Sequence, residues 1–297
     1  MRFAKGHGTE NDFVILLDPD GSGGLTADLT AALCDRRAGM GADGVLRAVR
    51  AAACGIAGDG GPGPAGGAGG PEWFMDYRNA DGSVAEMCGN GIRVFARYLV
   101  RHGLAHGPGF TVATRSGPRQ ITMAADGGVT AEMGAVAVLG PGSAVIAGQA
   151  YPGLRVSVGN PHLACLVDAP LASFDLSGAP GLDPGQFPEG GNVELVRVTG
   201  PASVAMRVHE RGSGETRSCG TGAVAAAAAT AAVNGCGDGT WAVRVPGGDL
   251  AVTLEAGRAW LTGPAVIVAE GELDPSWLAD TAPSHHDQAR SHTVCRT

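Results

Sequence analysis

The sequence predicts an α/β protein made of two similar halves, and three observations support this fold class. An internal repeat aligns residues 75–96, MDYRNADGSVAEMCGNGIRVFA, with residues 206–227, MRVHERGSGETRSCGTGAVAAA. In each half, short apolar segments with strand-like alternation lie on both sides of the helical segment that follows the repeated block. Hydrophobic residues make up 44% of the 297 residues, enough for a packed core in spite of 50 glycines. We therefore expect two pseudo-symmetric domains and exclude a collagen-like, coiled-coil or wholly disordered chain.

Composition and charge exclude further classes of protein. The formal net charge is −8 and the arginines do not cluster, so a basic face that binds nucleic acid is not expected. No apolar run reaches the roughly 18 residues that cross a bilayer, and the N-terminus lacks the apolar stretch of a signal peptide. Seven cysteines, without a CxxC pair, argue against a disulfide framework and a structural zinc site. We expect a soluble cytoplasmic protein that does not bind membranes.

Turn and capping residues divide the first half into strands and two helices. Thr26 is suited to cap a helix over residues 27–35, and GMGADG at 39–44 predicts a glycine-rich turn. The low-complexity residues 54–71 predict an exposed flexible insertion. Apolar residues at spacings of three and four predict a helix over residues 92–102. The predicted strands of this half cover residues 2–5, 13–17, 72–78, 109–114, 118–124 and 129–133.

The second half repeats this order, with an alanine-rich helix predicted over residues 223–233. Its predicted strands cover residues 154–158, 162–167, 192–198, 203–209, 241–246, 249–255 and 258–269. From the repeat we place one half-domain at residues 1–131 and the other at 132–263, with a last strand at about 264–277 that returns to the first half. The polar residues 278–297, which include His285, His286 and His292, are predicted to form a flexible tail.

The repeat places Cys88 and Cys219 in equivalent positions, each followed by Gly-x-Gly and a helix. A helix N-terminus exposes unpaired N–H groups and the positive end of the helix dipole, so we expect each thiol to have a lowered pKa. The glycines let the backbone approach a ligand, and the same N–H groups are suited to bind a carboxylate. If the two cysteines face each other across a cleft, one thiolate removes a proton from a carbon and the other thiol protonates its opposite face. This pattern predicts two-base racemisation or epimerisation.

No cofactor and no metal site is predicted for this chemistry. The sequence has no dinucleotide-binding fingerprint that opens a βαβ unit, and it has no P-loop. Lys5, the single lysine, lies on a predicted N-terminal strand and is a poor candidate for a pyridoxal lysine.

Four blocks of the sequence resemble those of a known family. KGHGTENDF at 5–13, RNADGSVAEMCGNGIRVFARY at 78–98, GNPH at 159–162 and ERGSGETRSCGTGA at 210–223 resemble the signature blocks of diaminopimelate epimerase, in the family's order. The resemblance implies two pseudo-symmetric α/β domains, each a mostly antiparallel sheet wrapped around a central helix. It also implies a pyridoxal-independent isomerase that interconverts LL- and meso-diaminopimelate for lysine and peptidoglycan precursor biosynthesis, usually as a homodimer.

The resemblance also implies roles for individual residues. Cys88 and Cys219 are implied to be the catalytic acid–base pair. The residues implied to hold the reacting carboxylate are Gly89, Asn90, Gly220 and Thr221. Those implied to bind the polar ends of the substrate are Asn11, Asn79, Asn160, Asn192, Glu210 and Arg211. Arg211 suits the distal carboxylate and Glu210 an ammonium group, while His162 and Glu210 are implied to support catalysis.

Two features depart from the family, and two other functions stay open. Gly44 stands in the GMGADGV turn where the family often has Gln, which removes one expected hydrogen bond to the substrate. The insertion at 54–71 is also atypical. One alternative is a related two-cysteine racemase of proline or hydroxyproline, and the other is a non-catalytic binding protein on the same scaffold. Asn90 and the pair Glu210 and Arg211 favour a long substrate with an amino acid at each end.

Overall fold

A computed structural model describes residues 1–55 and 70–281. The chain divides into two compact units. The first contains residues 1–8, residues 12–129 and the described chain from Ala265 onward, and the second contains Thr9–Asn11 and Thr130–Pro264. Most of the predicted insertion (56–69) and most of the predicted tail (282–297) lie outside the described residues.

The elements follow one another along the chain in a mixed order of strands and helices. From the N-terminus they are β1 (Arg2–Gly8), β2 (Asn11–Leu17), α1 (Ala27–Cys34), β3 (Gly44–Arg50), β4 (Trp73–Asn79), α2 (Gly89–Arg101), β5 (Gly109–Ala113) and β6 (Arg119–Met123). There follow β7 (Val129–Ala135), β8 (Ala137–Ile146), β9 (Gln149–Ser157), β10 (Pro161–Leu166), β11 (Gly181–Leu182), β12 (Asn192–Gly200), β13 (Ser203–Glu210) and β14 (Gly214–Thr216). The last are α3 (Gly220–Val233), β15 (Gly239–Val245), β16 (Gly248–Glu255), β17 (Arg258–Gly263), β18 (Val266–Glu272) and α4 (Pro275–Thr281).

The strand pairings of the two units match one another. In the first unit the order is β18, β1, β2, β3, β4, β5 and β6. In the second it is β8, β9, β10, β12, β13, β15 and β16, with β17 and β7 added at the far edge. The pairs β2–β3 and β4–β5 are parallel, as are their counterparts β10–β12 and β13–β15. The internal repeat therefore corresponds to a repeated sheet topology, and the predicted fold class is confirmed.

Each unit has a central helix that is buried on nearly every side. In α2 the buried apolar side chains include Ile92, Phe95 and Leu99. In α3 the residues from Ala223 to Ala229 are at most 6% exposed. A helix that is apolar all round is one that other elements enclose, and alanine combines high helix propensity with a small side chain that lets the strands approach closely. The strands around each of these helices thus hold the helix that follows the Cys-Gly-x-Gly block in place.

Both helices begin earlier than the sequence predicts. They were expected at residues 92 and 223, whereas they begin at Gly89 and Gly220. The glycine pairs of these segments resemble turn residues in sequence, yet they form the first turn of each helix. Their start makes Cys88 and Cys219 the N-cap residues, which confirms the expectation of a cysteine at each helix N-terminus.

Some of the other predictions of individual elements are confirmed and some are wrong. Thr26 caps α1 as predicted, because its hydroxyl accepts a hydrogen bond from the Leu29 N–H at 3.1 Å. The segment predicted as a strand over 258–269 contains two strands, β17 and β18, in different units. Strand β18 pairs with β1 in the first unit, to which the last strand at about 264–277 was predicted to return. Strand β8 and helix α4 were not predicted, and the tail predicted from residue 278 begins inside α4. Cys54 is disulfide-bonded, an exception to the free thiols expected from the composition.

None of the helices in the described residues is both long and apolar enough to span a membrane.

Candidate functional site

The first part of the candidate site surrounds Cys88 in the first unit. Cys88 is partly exposed and extended, with φ −135° and ψ 121°, and its Sγ accepts a hydrogen bond from the Gly91 N–H at 3.3 Å. Gly89 and Asn90 form the first turn of α2 and are buried, Asn90 completely. The backbone of this turn is therefore held against the sulfur, as the predicted function requires.

Asn79 lies at the end of β4, where the chain turns toward Cys88. Its side-chain N–H donates to the Ser83 hydroxyl at 3.0 Å, and its backbone N–H donates to the Ser83 carbonyl at 2.9 Å. Gly44 pairs with Asn79 across the β3–β4 ladder. A Cβ at Gly44 would lie 2.5 Å from the Arg78 carbonyl oxygen and 2.8 Å from the Tyr77 ring. The backbone of this chain thus leaves no space for a side chain at the position where the family often has Gln.

The second part of the candidate site surrounds Cys219 in the second unit and repeats the N-cap geometry of Cys88. Cys219 is 6% exposed, with φ −124° and ψ 120°, and its Sγ accepts a hydrogen bond from the Gly222 N–H at 3.3 Å. The Thr221 hydroxyl lies 3.5 Å from the same sulfur. Gly220 is buried in the first turn of α3. The two cysteines therefore share one local conformation, although their charged surroundings differ.

Acidic neighbours distinguish Cys219. Burial raises the pKa of the Cys219 thiol well above its usual range, and the carboxylates of Glu210 and Glu194 raise it further. Hydrogen bonds from Thr221 and Gly222 oppose this increase without reversing it. The prediction of a lowered pKa at both helix ends is therefore wrong for Cys219, because burial and two carboxylates outweigh the helix N-terminus. A raised pKa favours the thiol over the thiolate at Cys219.

Glu210 is the acidic residue that the sequence assigned to the site. It ends β13, and its carboxylate accepts a hydrogen bond from the Thr216 hydroxyl. Burial raises the pKa of the Glu210 carboxyl, while hydrogen bonds with Thr216 and Cys219 act in the opposite direction. A hydrogen bond between Glu210 and Cys219 places this carboxyl beside the sulfur, and it is the position in the repeat that Asn79 occupies in the first half.

A buried polar chain connects His162 to Cys219. The His162 Nδ1 lies 2.6 Å from the Glu194 Oε1, and both side chains are fully buried. The His162 Nε2 lies 2.9 Å from the Asn160 Oδ1, and the Asn160 amide donates to the Thr221 hydroxyl at 3.4 Å. Since Thr221 contacts the sulfur, a chain of polar contacts runs from Glu194 through His162 and Asn160 to the Cys219 thiol.

Asn192 and Arg211 lie together at the edge of this chain. The Asn192 Oδ1 accepts a hydrogen bond from the Arg211 backbone N–H at 2.9 Å, and the Asn192 amide nitrogen lies 3.5 Å from the His162 Nε2. The Arg211 side chain is 45% exposed and donates to the Glu189 carbonyl at 3.2 Å. The same guanidinium lies 3.7 Å from the Glu189 carboxylate, which is itself 87% exposed. Both contacts are at the surface, where an anionic group of a ligand can replace them.

Asn11 belongs with the second unit through the turn that precedes it. Thr9 and Glu10 have left-handed backbone, with φ 51° and 63°, which non-glycine residues seldom adopt. The Thr9 hydroxyl is hydrogen-bonded to the Ser218 hydroxyl at 2.6 Å, next to Cys219, and Glu10 forms an ion pair with Arg217. The strained turn is therefore tied to the loop that leads into α3, and Asn11 begins β2 directly after it.

The structure brings most of the predicted residues of the second unit together. Those that lie around the start of α3 are Asn160, His162, Asn192, Glu210, Cys219, Gly220 and Thr221, with Arg211 on Asn192. In the first unit Cys88, Gly89 and Asn90 lie at the start of α2, while the Asn79 side chain, at the end of β4, is hydrogen-bonded to Ser83. Sequence reasoning missed Glu194, a charged residue inside the buried strand β12, and Arg93, a charged residue inside the buried helix α2. The signal for both was present, since a lone charge among consecutive buried apolar residues requires a partner.

A family model and full-length relatives match this chain. The model described as "Diaminopimelate epimerase" matches residues 3–139 and 154–271. A diaminopimelate epimerase of Thermobifida fusca is 59% identical over 94% of this chain and 100% of its own length. One from Rhodococcus opacus is 53% identical over 93% of this chain and 98% of its own length.

Solved structures share the fold at much lower sequence identity. A Bacillus anthracis phenazine biosynthesis protein of the PhzF family matches with a TM-score of 0.63 and 16% identity, over 92% of this chain and 99% of that one. A probable proline racemase from Agrobacterium radiobacter matches with a TM-score of 0.63 and 14% identity, over 92% and 93%. At such identities the likeness shows the fold alone.

Proposed function

The chain belongs to the diaminopimelate epimerase family, and on that premise we propose that it interconverts LL- and meso-2,6-diaminopimelate without a cofactor. The single observation that carries the proposal is the repeated N-cap geometry of Cys88 and Cys219, each with a helix N–H on its sulfur. The relatives that match over their full length bear the same name. The product serves lysine and peptidoglycan precursor biosynthesis.

Two sulfur atoms perform the proposed proton transfers. One cysteine, as thiolate, takes the α-proton of the substrate and becomes a thiol. The other, as thiol, gives its proton to the opposite face of the same carbon and becomes a thiolate, so no net proton is consumed. Cys219 supplies the thiol in one direction, because burial and the neighbouring carboxylates keep its pKa high. Cys88 then removes the α-proton, and the reverse reaction exchanges these roles.

The negative charge that develops after proton removal falls on the substrate carboxylate. Backbone N–H groups at the start of a helix have no intrahelical acceptors and lie at the positive end of the dipole, so they stabilise such a charge. We assign this role to Gly89 and Asn90 in α2 and to Gly220 and Thr221 in α3, which occupy those first-turn positions.

The remaining polar residues are proposed to recognise the amino acid at the far end of the substrate. Arg211, with its exposed guanidinium, binds the distal carboxylate. Amide side chains serve both carboxylates and ammonium groups, since each amide carries donors and an acceptor. We assign that role to Asn11, Asn79, Asn160 and Asn192. Glu210 supports catalysis beside Cys219, and His162 does so through Asn160 and Thr221.

Proton exchange with solvent tests the proposal. The purified enzyme is incubated in D2O with LL- or meso-diaminopimelate, and with proline and hydroxyproline as the alternative substrates. We expect deuterium at the α-carbon of diaminopimelate only, and Cys88→Ala and Cys219→Ala should each lower epimerisation by about 10²–10⁴-fold. Cys236→Ala, at an exposed free thiol, is the matched control and should retain activity.

Several outcomes would contradict the proposal. Turnover of proline with none of diaminopimelate would favour the related racemases. Calorimetric binding of diaminopimelate without any proton exchange would indicate a binding protein. Full activity in either cysteine variant would exclude the two-thiol mechanism.

We also propose a homodimer in the cytoplasm, as the family resemblance implies. Size-exclusion chromatography with light scattering should give twice the chain mass of 29.6 kDa, and a monomer would contradict the assembly. Cell fractionation should recover the protein with the cytoplasmic contents, and recovery with membranes would contradict the location.

A further inference from the structure

A buried arginine lies beside the first cysteine, where its repeat has none. Arg93 is fully buried in α2, five residues after Cys88, and burial lowers its pKa to about 10. It is close enough to Cys88 for an electrostatic interaction. The internal repeat places Val224 at the equivalent position of α3. A buried positive charge therefore lies in the helix that follows Cys88, whereas α3 has an apolar side chain at the equivalent position.

The contacts of the guanidinium fix it on the turn that carries the sulfur. Its Nη1 donates to the Gly89 carbonyl at 3.1 Å, and its Nη2 donates to the Asn90 Oδ1 at 3.0 Å. Its Nε has no hydrogen-bond partner within the part of the chain that the structure describes, and none of the ion pairs found there includes Arg93. Burying a cation without a carboxylate is costly, so its retention suggests that it serves an anion formed during function.

The second cysteine has the opposite surroundings. A Cβ at Gly222 would lie 2.8 Å from the Glu194 Oε1, whereas a Cβ at the equivalent Gly91 would lie 3.2 Å from the Leu46 side chain. Strand β12 thus presents a carboxylate to the cysteine turn at the place where β3 presents a methyl group. Glu210 adds a second carboxyl beside Cys219.

The other charged groups near α2 have partners of their own. The helix packs against β1, β3, β4 and β18. His7 is a titratable group of β1. The charged residues of these strands that lie in ion pairs are Arg2, Lys5, Arg47, Arg50, Asp76, Arg78, Glu270 and Glu272. Arg93 is the charged residue that contacts both residues following Cys88.

We propose that Arg93 is a positioning residue for the reaction. Its guanidinium holds the Gly89 and Asn90 turn and stabilises Cys88 as the thiolate of the resting enzyme, while Glu194 and Glu210 keep Cys219 protonated. The repeated scaffold thereby carries opposite charges at its two cysteines, so the resting enzyme holds one base and one acid. This inference rests on the proposed two-thiol function.

Alkylation of each cysteine by iodoacetamide as a function of pH tests the proposal without any substrate. Peptide mass spectrometry of the intact enzyme gives the alkylation rate of Cys88 and Cys219 separately, and the pH at half-maximal rate reports thiolate formation. In the wild-type enzyme this pH should be lower for Cys88 than for Cys219. In Arg93→Met it should increase by at least one pH unit for Cys88, a tenfold loss of rate at neutral pH, and stay unchanged for Cys219.

Two further variants keep the test decisive. Arg97→Met, in the same helix with its guanidinium on the Gly127 carbonyl, should leave both profiles unchanged. Arg93→Lys retains the charge and should keep the Cys88 profile within about half a pH unit of the wild type, which separates charge from packing even if Arg93→Met fails to fold. A Cys88 profile that is unchanged in Arg93→Met, or that lies above the Cys219 profile in the wild type, would overturn the proposal. If the alkylation profiles were as expected but the wild-type enzyme did not turn over diaminopimelate, the proposed function would be refuted and the role of Arg93 at Cys88 would not.

Discussion

The two equivalent glycines behind the cysteines give a matched pair of substitutions. In Gly222→Ala the new Cβ would lie 2.8 Å from the Glu194 Oε1 and 3.3 Å from the Cys219 Sγ. Glu194 has little freedom to retreat, because it is fully buried and lies 2.6 Å from His162. Overpacking of this kind costs about 1–3 kcal/mol, against a helix-propensity gain of up to about 1 kcal/mol for Gly→Ala. We expect a net loss of about 1–2 kcal/mol in the free energy of unfolding.

In Gly91→Ala the corresponding contacts are looser. The new Cβ would lie 3.2 Å from the Leu46 Cδ2, 3.3 Å from the Cys88 Cβ and 3.4 Å from the Phe13 Cζ. The ends of apolar side chains move by tenths of an ångström at small cost, so the propensity gain should nearly cancel the crowding and leave stability within about 0.5 kcal/mol of the wild type.

Urea denaturation followed by circular dichroism measures both variants, and their midpoints should differ at equal slopes. Gly222→Ala should also lose more epimerase activity, since its Cβ displaces Cys219 as well as Glu194. If Gly222→Ala were at least as stable as Gly91→Ala, the account of a rigid carboxylate behind Cys219 would be refuted.

Three further predictions address the site. Gly44→Gln introduces the family's usual residue. Its Cβ would lie 2.5 Å from the Arg78 carbonyl oxygen, so the variant should lose about 2 kcal/mol or more of unfolding free energy and show no lower KM. A variant as stable as the wild type, with a lower KM in steady-state assays, would contradict this. Glu210→Gln removes a negative charge, so the pKa of Cys219 should decrease and its alkylation should begin at lower pH, whereas an unchanged profile would disprove the coupling. Mild oxidation should form a disulfide between Cys88 and Cys219 and inactivate the enzyme. Non-reducing mass spectrometry detects this disulfide. If the enzyme kept full activity with the disulfide formed, the claim that both thiols act on one α-carbon would be refuted.

Motifs made the position of the two helices predictable from sequence, although not their first residues. The Cys-Gly-x-Gly blocks identified a helix after Cys88 and Cys219, since cysteine, glycines and an apolar stretch recur together. The start at Gly89 and Gly220 was missed, because glycine is a poor helix former and only the surrounding sheet stabilises it there. Strand β8 was missed because its sequence, AVLGPGSAVI, combines proline and glycine with a largely exposed surface.

Electrostatics of the site could not be predicted from local sequence. The lowered pKa expected for Cys219 follows from the helix N-terminus alone, whereas burial, Glu210 and Glu194 raise the pKa of this thiol. Burial and the position of Glu194, which is distant in sequence, depend on the fold. Likewise the glycine at position 44 was noticed from the family pattern, but the close approach of the Arg78 carbonyl oxygen on the neighbouring strand depends on strand pairing. The pKa of Cys219 and the crowding at Gly44 both depend on which strands the fold brings next to these residues.

The most direct test of the central claim is a crystal structure with diaminopimelate bound, in which the distances from one α-carbon to the two sulfur atoms are measured. The account predicts that the Sγ atoms of Cys88 and Cys219 lie on opposite faces of the same α-carbon, each within about 4 Å, a separation that permits proton transfer. A complex in which either sulfur lies many ångströms from that carbon, or in which both lie on one face, would contradict it.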